Sequence, residues 1–206
     1  MKKTILLIIL CVLATIAHLY FTDNPFISAL YFSGENLRRG FFWTPVTSIF
    51  IHANLAHLIG NMLFLYVFGG AIEREIGSSK MLAAFFLGGS LSFILSLFFY
   101  EPNVIMVGAS AAIFTLVAMV MLIKPLKFSW LFLMPLGLVA ILYFIYNILA
   151  VYTGIGEPEV SYLGHIIGFL VGVPLGISWS RGRWKRNLLV AIALLTLYII
   201  IFGLLL

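Results

Sequence analysis

VGASAAIF, residues 107–114, places one serine, Ser110, where a loop becomes an apolar segment. Apolar residues continue only to Ile123 before Lys124 and Pro125 end the run of 14 residues, a helical length of about 21 Å. A bilayer core is about 30 Å thick and needs about 20 helical residues, so this segment either does not span or begins roughly 10 Å below the surface. Non-helical backbone at that depth is tolerated only when it is buried in protein or lines a wet cavity. A serine on the floor of such a cavity suggests chemistry.

The composition indicates a protein that crosses the bilayer several times. Of its 206 residues, 63% are hydrophobic and 9% are charged, whereas soluble domains carry about 25% charged residues. The net charge of +5 does not indicate nucleic-acid binding, because the basic residues lie at the ends of apolar runs and set topology. We expect an all-α polytopic membrane protein forming one domain over residues 1–206, with a core at about 1–180 and an extra helix at about 187–206.

Seven apolar runs are predicted to span the membrane, and their bounds are Met1–Phe21, Leu55–Ile72, Met81–Tyr100, Ser110–Ile123, Ser129–Tyr152, Tyr162–Trp179 and Leu188–Leu206. The first run has weak features of a signal peptide, but it is long enough to span. Residues 22–51 are too broken to span and too apolar to be solvated, so they are predicted to lie against the membrane surface. Glu73–Lys80 is predicted to be a polar link, with Glu73 and Arg74 at a solvated helix end.

The basic residues predict the orientation of these spans. With the N-terminus inside, only Arg38 and Arg39 of the 12 Lys and Arg residues lie outside. By the positive-inside rule, we expect a multi-pass protein of the cell membrane with a cytoplasmic N-terminus and an external C-terminus.

Four polar side chains on three spans are predicted to lie at one depth. Counted from the inner end of its own span, Ser110 lies about 21 Å away, His57 and His165 about 24 Å, and Asn61 about 18 Å. Polar side chains within a membrane are costly and usually face a bundle interior or a cavity. The second, fourth and sixth spans therefore bring serine, histidine and asparagine into one layer.

These residue types fit acyl transfer. A serine hydroxyl needs a base, usually histidine, and His165 is the best-placed candidate for Ser110. Every Asp and Glu lies in a loop or at a span end, so the sequence predicts a Ser–His dyad without a carboxylate. His57 and Asn61 are four residues apart on one helix face and can donate to an oxyanion, as can the Ser110 backbone N–H. Phe114, one turn below Ser110, can pack against the His165 ring.

Small residues predict close contact between the fourth and sixth spans, since they let helix backbones approach. On the sixth span they recur every four residues as Gly164, Gly168, Gly172 and Gly176, and on the fourth they are Ala111, Thr115 and Ala118.

Simpler interpretations stand beside these. Membrane serines and histidines are more often packing or hydrogen-bonded interior groups. His52 and His57 lie five residues apart with no carboxylate or cysteine ligand beside them, so we expect no metal; His52 is predicted to cap or brace the interfacial loop. Cys11 is interpreted as a buried core residue.

Several short motifs resemble the rhomboid family of intramembrane serine proteases. His52–Asn61 is similar to its helix 2 pattern ending in His-x-x-x-Asn, and Gly69–Ser78 to the turn that follows. The segment 108–110, Gly-Ala-Ser, is similar to its Gly-x-Ser nucleophile motif, and Gly164–Gly172 to the helix 6 motif that carries the base. The order and spacing of these motifs together are highly specific.

The resemblance implies a six-helix rhomboid-like bundle with one extra C-terminal span. It implies that Ser110 is the nucleophile and His165 the general base, and that His57, Asn61 and the Ser110 backbone bind the oxyanion, with Gly108 in the nucleophile motif. It also implies cleavage of transmembrane helices of other proteins near their outer ends, without a cofactor or metal.

The chain departs from the family pattern at three positions. Thr44 follows Trp43 where arginine is frequent, Ala111 follows the nucleophile where glycine is usual, and Phe114 replaces a frequent tyrosine.

Two other functions compete with a protease: an inactive relative that binds membrane helices, and a small transporter. Transporters often show internal repeats and intramembrane carboxylates, and the sequence shows neither.

Overall fold

The computed structural model describes residues 1–21, 24–156 and 160–205. Its helices are α1 (Lys2–Tyr20), α2 (Pro25–Ser28), α3 (Gly34–Arg38), α4 (Thr44–Thr47), α5 (Leu55–Phe64), α6 (Gly70–Ile76), α7 (Ser78–Ser96), α8 (Ser110–Ile123), α9 (Leu136–Thr153), α10 (Tyr162–Trp179) and α11 (Trp184–Leu205). A 3₁₀ turn at Ser48–Phe50 follows α4, and a π-helical turn at Leu65–Gly69 joins α5 to α6. Two short strands, β1 (Phe128–Ser129) and β2 (Met134–Pro135), form an antiparallel hairpin.

The number of long apolar helices makes this an integral, multi-pass, all-α membrane protein. Among the described residues, six helical segments are long and apolar enough to cross a bilayer, with α5 through α6 forming one of them, Leu55–Ile76. Helix α8 has only 14 residues and is the shorter seventh segment. The predicted bounds of the fourth and sixth spans coincide with α8 and α10.

Helix α8 forms the centre of the bundle, and every residue from Ala111 to Ile123 is buried. Glycines of α10 pack directly on its backbone: a Cβ added to Gly168 or Gly172 would overlap the carbonyl oxygen of Ala111 or Thr115. The Thr115 hydroxyl also donates to the Gly168 carbonyl oxygen across the interface, at 2.8 Å. The predicted contact between the small faces of these two helices is confirmed.

The predicted polar link after the second span is largely helical, and the prediction that Glu73 is solvated was wrong, whereas Arg74 is exposed as predicted. The helix continues through Glu73 to Ile76, a single residue, Gly77 with φ +92°, breaks it, and α7 begins at Ser78. The Glu73 side chain is buried because it accepts hydrogen bonds from the first backbone N–H groups of α1, at Lys3 (3.0 Å) and Thr4 (2.9 Å). A carboxylate at a helix N-terminus satisfies unpaired N–H groups and complements the helix dipole.

The fifth span begins later than predicted, at Leu136 instead of Ser129. The apolar residues before it form the β1–β2 hairpin, and Pro135 stands directly before the helix. The hairpin is apolar but largely exposed, with Phe128, Trp130 and Leu133 at its surface. Hydropathy does not distinguish such a hairpin from the first turns of a helix, whereas the proline disfavours helical geometry at the residue before it. The third span also ends earlier than predicted, at Ser96 instead of Tyr100.

The predicted interfacial segment, residues 22–51, contains the short helices α2, α3 and α4 and the 3₁₀ turn rather than one continuous helix. Residues 22 and 23 of that segment, and Leu206 at the predicted end of the seventh span, lie outside the described residues. The Trp43 indole N–H donates to the Ala29 carbonyl at 2.9 Å, so this loop is braced although Thr44 stands where arginine is frequent in the family.

Contacts at the two ends of the bundle agree with alternating spans. At one end Glu75, in the last turn of the second span, lies 3.0 Å from the Lys124 ammonium, after α8, and 4.0 Å from the Arg183 guanidinium, just before α11. At the other end the hydroxyl groups of Tyr100 and Ser161 are 3.2 Å apart. The N-terminus of α8 lies at this second end.

Candidate active site

A cavity of about 650 Å³ lies at the N-terminus of α8. Ser110, His165, His57 and Asn61 all line it, and they come from α8, α10 and α5. The structure therefore brings together the four polar side chains that the depth count assigned to one layer. Exposed residues such as Ile105 and Tyr146 also line the cavity, so it reaches the surface of the protein.

Ser110 is the first residue of α8, after a loop whose shape depends on glycine. Gly108 has φ +116°, a backbone conformation that residues with a side chain rarely adopt. A Cβ there would also lie 2.8 Å from Cε1 of the His57 ring. Gly108 donates its N–H to the Ser48 carbonyl at 2.9 Å, so the loop is held from one side while the His57 ring packs against the other. Because Ser110 opens the helix, its N–H has no partner within the helix.

His52 braces this loop from beneath and is fully buried. The Ala109 N–H donates to Nε2 of His52 at 3.3 Å. Nε2 therefore accepts, and in the neutral ring the proton is on Nδ1, which lies 3.1 Å from the Thr15 hydroxyl oxygen. His52 was predicted to brace the interfacial loop, whereas these two contacts connect α1 to the residue that precedes Ser110.

His57 and Asn61 occupy adjacent turns of α5, as their spacing predicts. The Asn54 side chain caps this helix by accepting the His57 backbone N–H at 2.8 Å. The Asn61 amide nitrogen donates to the His57 carbonyl at 2.8 Å, which fixes the position of that side chain at the cavity wall. An amide nitrogen carries two N–H donors, so the second N–H of Asn61 is available to a bound group.

His165 begins the second turn of α10, whose N-terminus is capped by the Ser161 side chain. Its ring stacks on Phe114 with centroids 4.4 Å apart and planes within 5°, which confirms the predicted packing. Its Nδ1 atom lies 2.7 Å from the side-chain oxygen of Asn147 on α9. In the described part of the chain no hydrogen bond joins the His165 ring to the Ser110 hydroxyl; such bonds often tighten only with substrate bound.

Sequence reasoning missed Asn147. The signal was a polar amide inside the apolar fifth span, because polar groups in membrane helices usually face a partner or a cavity. None of the described residues that line the cavity carries a carboxylate, and the described residues contain no cluster of three His, Cys, Asp or Glu side chains that could hold a metal ion. Beside the N-terminus of α8 the described residues bring together the Ser110 hydroxyl, the two imidazoles of His57 and His165, and several N–H donors.

A model of the Rhomboid domain family matches residues 39–182, which is well over half of the chain. The chain belongs to the rhomboid family. The matched region of this rhomboid contains α5 to α10 and every residue of the cavity named above.

Among its relatives, Rhomboid-like protein 11, chloroplastic, from Arabidopsis thaliana is 30% identical over 141 residues, 63% of this chain and 50% of that protein. Rhomboid protease GluP from Bacillus subtilis is 30% identical over 162 residues, 78% of this chain and 31% of that protein. Rhomboid protease GlpG from Haemophilus influenzae is 23% identical over 186 residues, 88% of this chain and 93% of that protein. The rhomboid chain spans about half the length of several curated relatives that it matches.

Proposed function

We propose that this rhomboid is an intramembrane serine endopeptidase that cleaves transmembrane helices of other membrane proteins near their outer ends. The observation that supports the proposal is the convergence of Ser110, His165, His57 and Asn61 on one cavity at the N-terminus of a short, buried helix. Membership of a family that includes named proteases supports the same chemistry.

In the proposed reaction the Ser110 hydroxyl oxygen attacks the carbonyl carbon of the scissile peptide bond. Nε2 of His165 takes the hydroxyl proton, and the carbonyl oxygen becomes an oxyanion. The tetrahedral intermediate collapses when the C–N bond breaks and His165 returns the proton to the leaving amine. Water then attacks the acyl-enzyme with the same base, releases the new carboxyl terminus and restores Ser110.

The oxyanion needs donors that are already in position. In the proposal three groups supply these donors: the Ser110 backbone N–H, the second amide N–H of Asn61 and an N–H of His57. The His57 ring packs against Gly108, two residues before the nucleophile, and Asn61 lies on the next turn of the same helix. These groups are held by backbone hydrogen bonds and packing, so little reorganisation is required when charge develops.

The proposed partners are transmembrane substrates within the lipid bilayer. Apolar residues exposed at the cavity, such as Val104 and Ile105, suit a segment that arrives from lipid. We further propose that the N-terminus is cytoplasmic, the C-terminus is external and the protein lies in the cell membrane. The clustering of Lys124 and Arg183 at the end of the bundle opposite Ser110 supports this orientation, because basic residues favour the cytoplasmic side.

The decisive test is labelling of the purified protein by a fluorophosphonate that carries a reporter group, with mass spectrometry to locate the adduct. We expect one adduct, on Ser110, and cleavage of a reporter transmembrane substrate in detergent. Ser110→Ala should abolish both signals while the unfolding transition is unchanged. Cleavage that persists in Ser110→Ala would exclude this serine as the nucleophile.

A second candidate function is binding of transmembrane helices without hydrolysis. The observation that favours it is that the Ser110 hydroxyl and the His165 ring are not hydrogen-bonded to one another within the described residues. The same experiment separates the two functions, because a binding protein would retain the substrate helix while Ser110 stayed unlabelled.

A further inference from the structure

Asn147 is a buried polar residue in a helix that is otherwise apolar. Its side chain is 2% exposed, and it lies in the middle of α9. An amide at that depth is costly unless its donors and acceptor are satisfied. Both its nitrogen and its oxygen have partners, and those partners decide how the amide is oriented.

The amide nitrogen of Asn147 donates to the Tyr143 carbonyl, one turn earlier on α9, at 2.7 Å. That carbonyl only accepts, so the atom facing it must be the N–H₂ group. The oxygen therefore faces His165, where it lies 2.7 Å from Nδ1. Because an amide oxygen only accepts, Nδ1 of His165 carries the proton.

This assignment leaves Nε2 of the neutral His165 ring unprotonated. In a neutral imidazole one nitrogen donates and the other accepts, and the hydrogen bond made by one fixes the role of the other. An unprotonated Nε2 is the form that a general base requires. Phe114 fixes the plane of the ring by stacking, and the hydrogen bond to Asn147 fixes the rotation within that plane.

We propose that Asn147 is a positioning residue that holds His165 in the tautomer with an unprotonated Nε2, so that three helices contribute a Ser–His–Asn triad in which the asparagine only orients the base. The proposal rests on the proposed function, because it assigns Asn147 a role through the base. Asparagine supplies the orienting acceptor without a charge, which a membrane interior accommodates at lower cost than the carboxylate of soluble triads.

Loss of the acceptor should act on the chemical step and spare substrate binding. Without it Nε2 can hold the proton, and that tautomer cannot accept the Ser110 proton. In soluble triads an orienter that imposes the wrong tautomer lowers kcat about 10⁴-fold. The Phe114 stack still holds the ring here, so we expect kcat to fall by about 10²-fold to 10³-fold with KM changed by less than about threefold.

The test compares Asn147→Leu, which keeps the volume and removes the acceptor, with Asn147→Asp, which keeps an acceptor oxygen. Asn187→Leu is the matched control: Asn187 is also a buried asparagine, and it donates to the carbonyls of Leu122 and Ile123 at the far end of α8, at 2.8 and 3.1 Å. Steady-state cleavage of a reporter substrate, fluorophosphonate labelling and unfolding in SDS are measured for each variant.

We expect Asn147→Leu to have a lower kcat and a lower labelling rate than the wild type. Asn147→Asp should have a kcat at least tenfold higher than that of Asn147→Leu. Asn187→Leu should be less stable but retain the wild-type kcat. Nitrogen-15 spectra of histidine-labelled protein give a readout independent of turnover. The His165 signals, assigned by His165→Phe, should show protonated Nδ1 in the wild type and protonated Nε2 in Asn147→Leu.

Wild-type kcat in Asn147→Leu, equal losses of kcat in Asn147→Leu and Asn187→Leu, or protonated Nε2 in the wild type would each overturn the proposal. Failure of the proposed function is a different result, since the wild-type protein itself would then neither cleave the substrate nor label at Ser110.

Discussion

Replacement of Gly168 by alanine should separate the two helices that carry the proposed nucleophile and base. Gly168 lies one turn after His165 on α10 and faces the backbone of Ala111, the residue that follows Ser110. An added Cβ would lie 2.9 Å from the Ala111 carbonyl carbon and 3.0 Å from its Cα, whereas non-bonded carbons prefer about 3.5–4.0 Å. Backbone in a fully buried helix cannot rotate away, so α10 must move by about 0.5–1 Å.

The expected effect on rate is larger than the effect on stability. Overpacking in a core costs about 1–3 kcal/mol, and the better helix propensity of alanine returns up to about 1 kcal/mol, so we expect a net loss near 1 kcal/mol. A misplacement of about 1 Å between reacting groups can lower a rate about 100-fold. The shift in Gly168→Ala should therefore slow the reaction of Ser110 by about 10-fold to 100-fold.

The assay is the second-order rate of fluorophosphonate labelling at Ser110, measured beside the free energy of unfolding in SDS–detergent mixtures. Gly203→Ala is the matched control, because an added Cβ on that α11 glycine meets no atom within 4 Å. The control should label at the wild-type rate and be equally or slightly more stable. A Gly168→Ala variant that labels within twofold of the wild type would refute the argument that this contact sets the distance between nucleophile and base.

Three further predictions follow from single side chains. Asn61→Ala should lower kcat about 100-fold without abolishing cleavage, since one oxyanion donor contributes about 3 kcal/mol; steady-state kinetics measures this, and unchanged kcat would contradict the assigned role. Thr115→Val removes a hydrogen bond between α8 and α10 and should lower the free energy of unfolding by about 1 kcal/mol, with a labelling rate close to that of the wild type. Glu73→Gln should cost about 2 kcal/mol because a charged acceptor of two backbone N–H groups is lost. Glu75→Gln, which removes partly exposed ion pairs, should cost under about 1 kcal/mol, and equal losses in these two variants would argue against a special role for the buried carboxylate.

The bounds of α8 and α10 were predictable from the sequence because polar residues mark their ends. Ser110 and Lys124 mark the two ends of α8. The run from Tyr162 to Trp179, which is α10, ends just before the basic segment at Arg181. The start of α9 was not predictable in this way, since the apolar residues before Leu136 suit a hairpin and a helix equally well. Hydropathy reports the environment of a segment and not its backbone conformation, so an apolar hairpin next to a membrane helix has no separate signal.

The spacing of residues along each span, together with the family motifs, indicated that Ser110, His165, His57 and Asn61 share a layer. Helical rise is constant, so distance along the chain converts directly into depth. The same argument could not assign partners. Glu73 was predicted to be solvated, yet it caps the N-terminus of α1, about 70 residues away in the chain.

The sequence by itself determined the class of protein, the number of spans and the residue types available for chemistry, because hydropathy, charge placement and helical rise are local properties of the chain. Only the tertiary structure decided most of the partners: Thr15 with His52, Glu73 with the first turn of α1, and Asn147 with Nδ1 of His165. Each of these contacts depends on the rotation and separation of two helices. Those quantities come from how side chains of distant segments interlock, and no pattern within a single span encodes them.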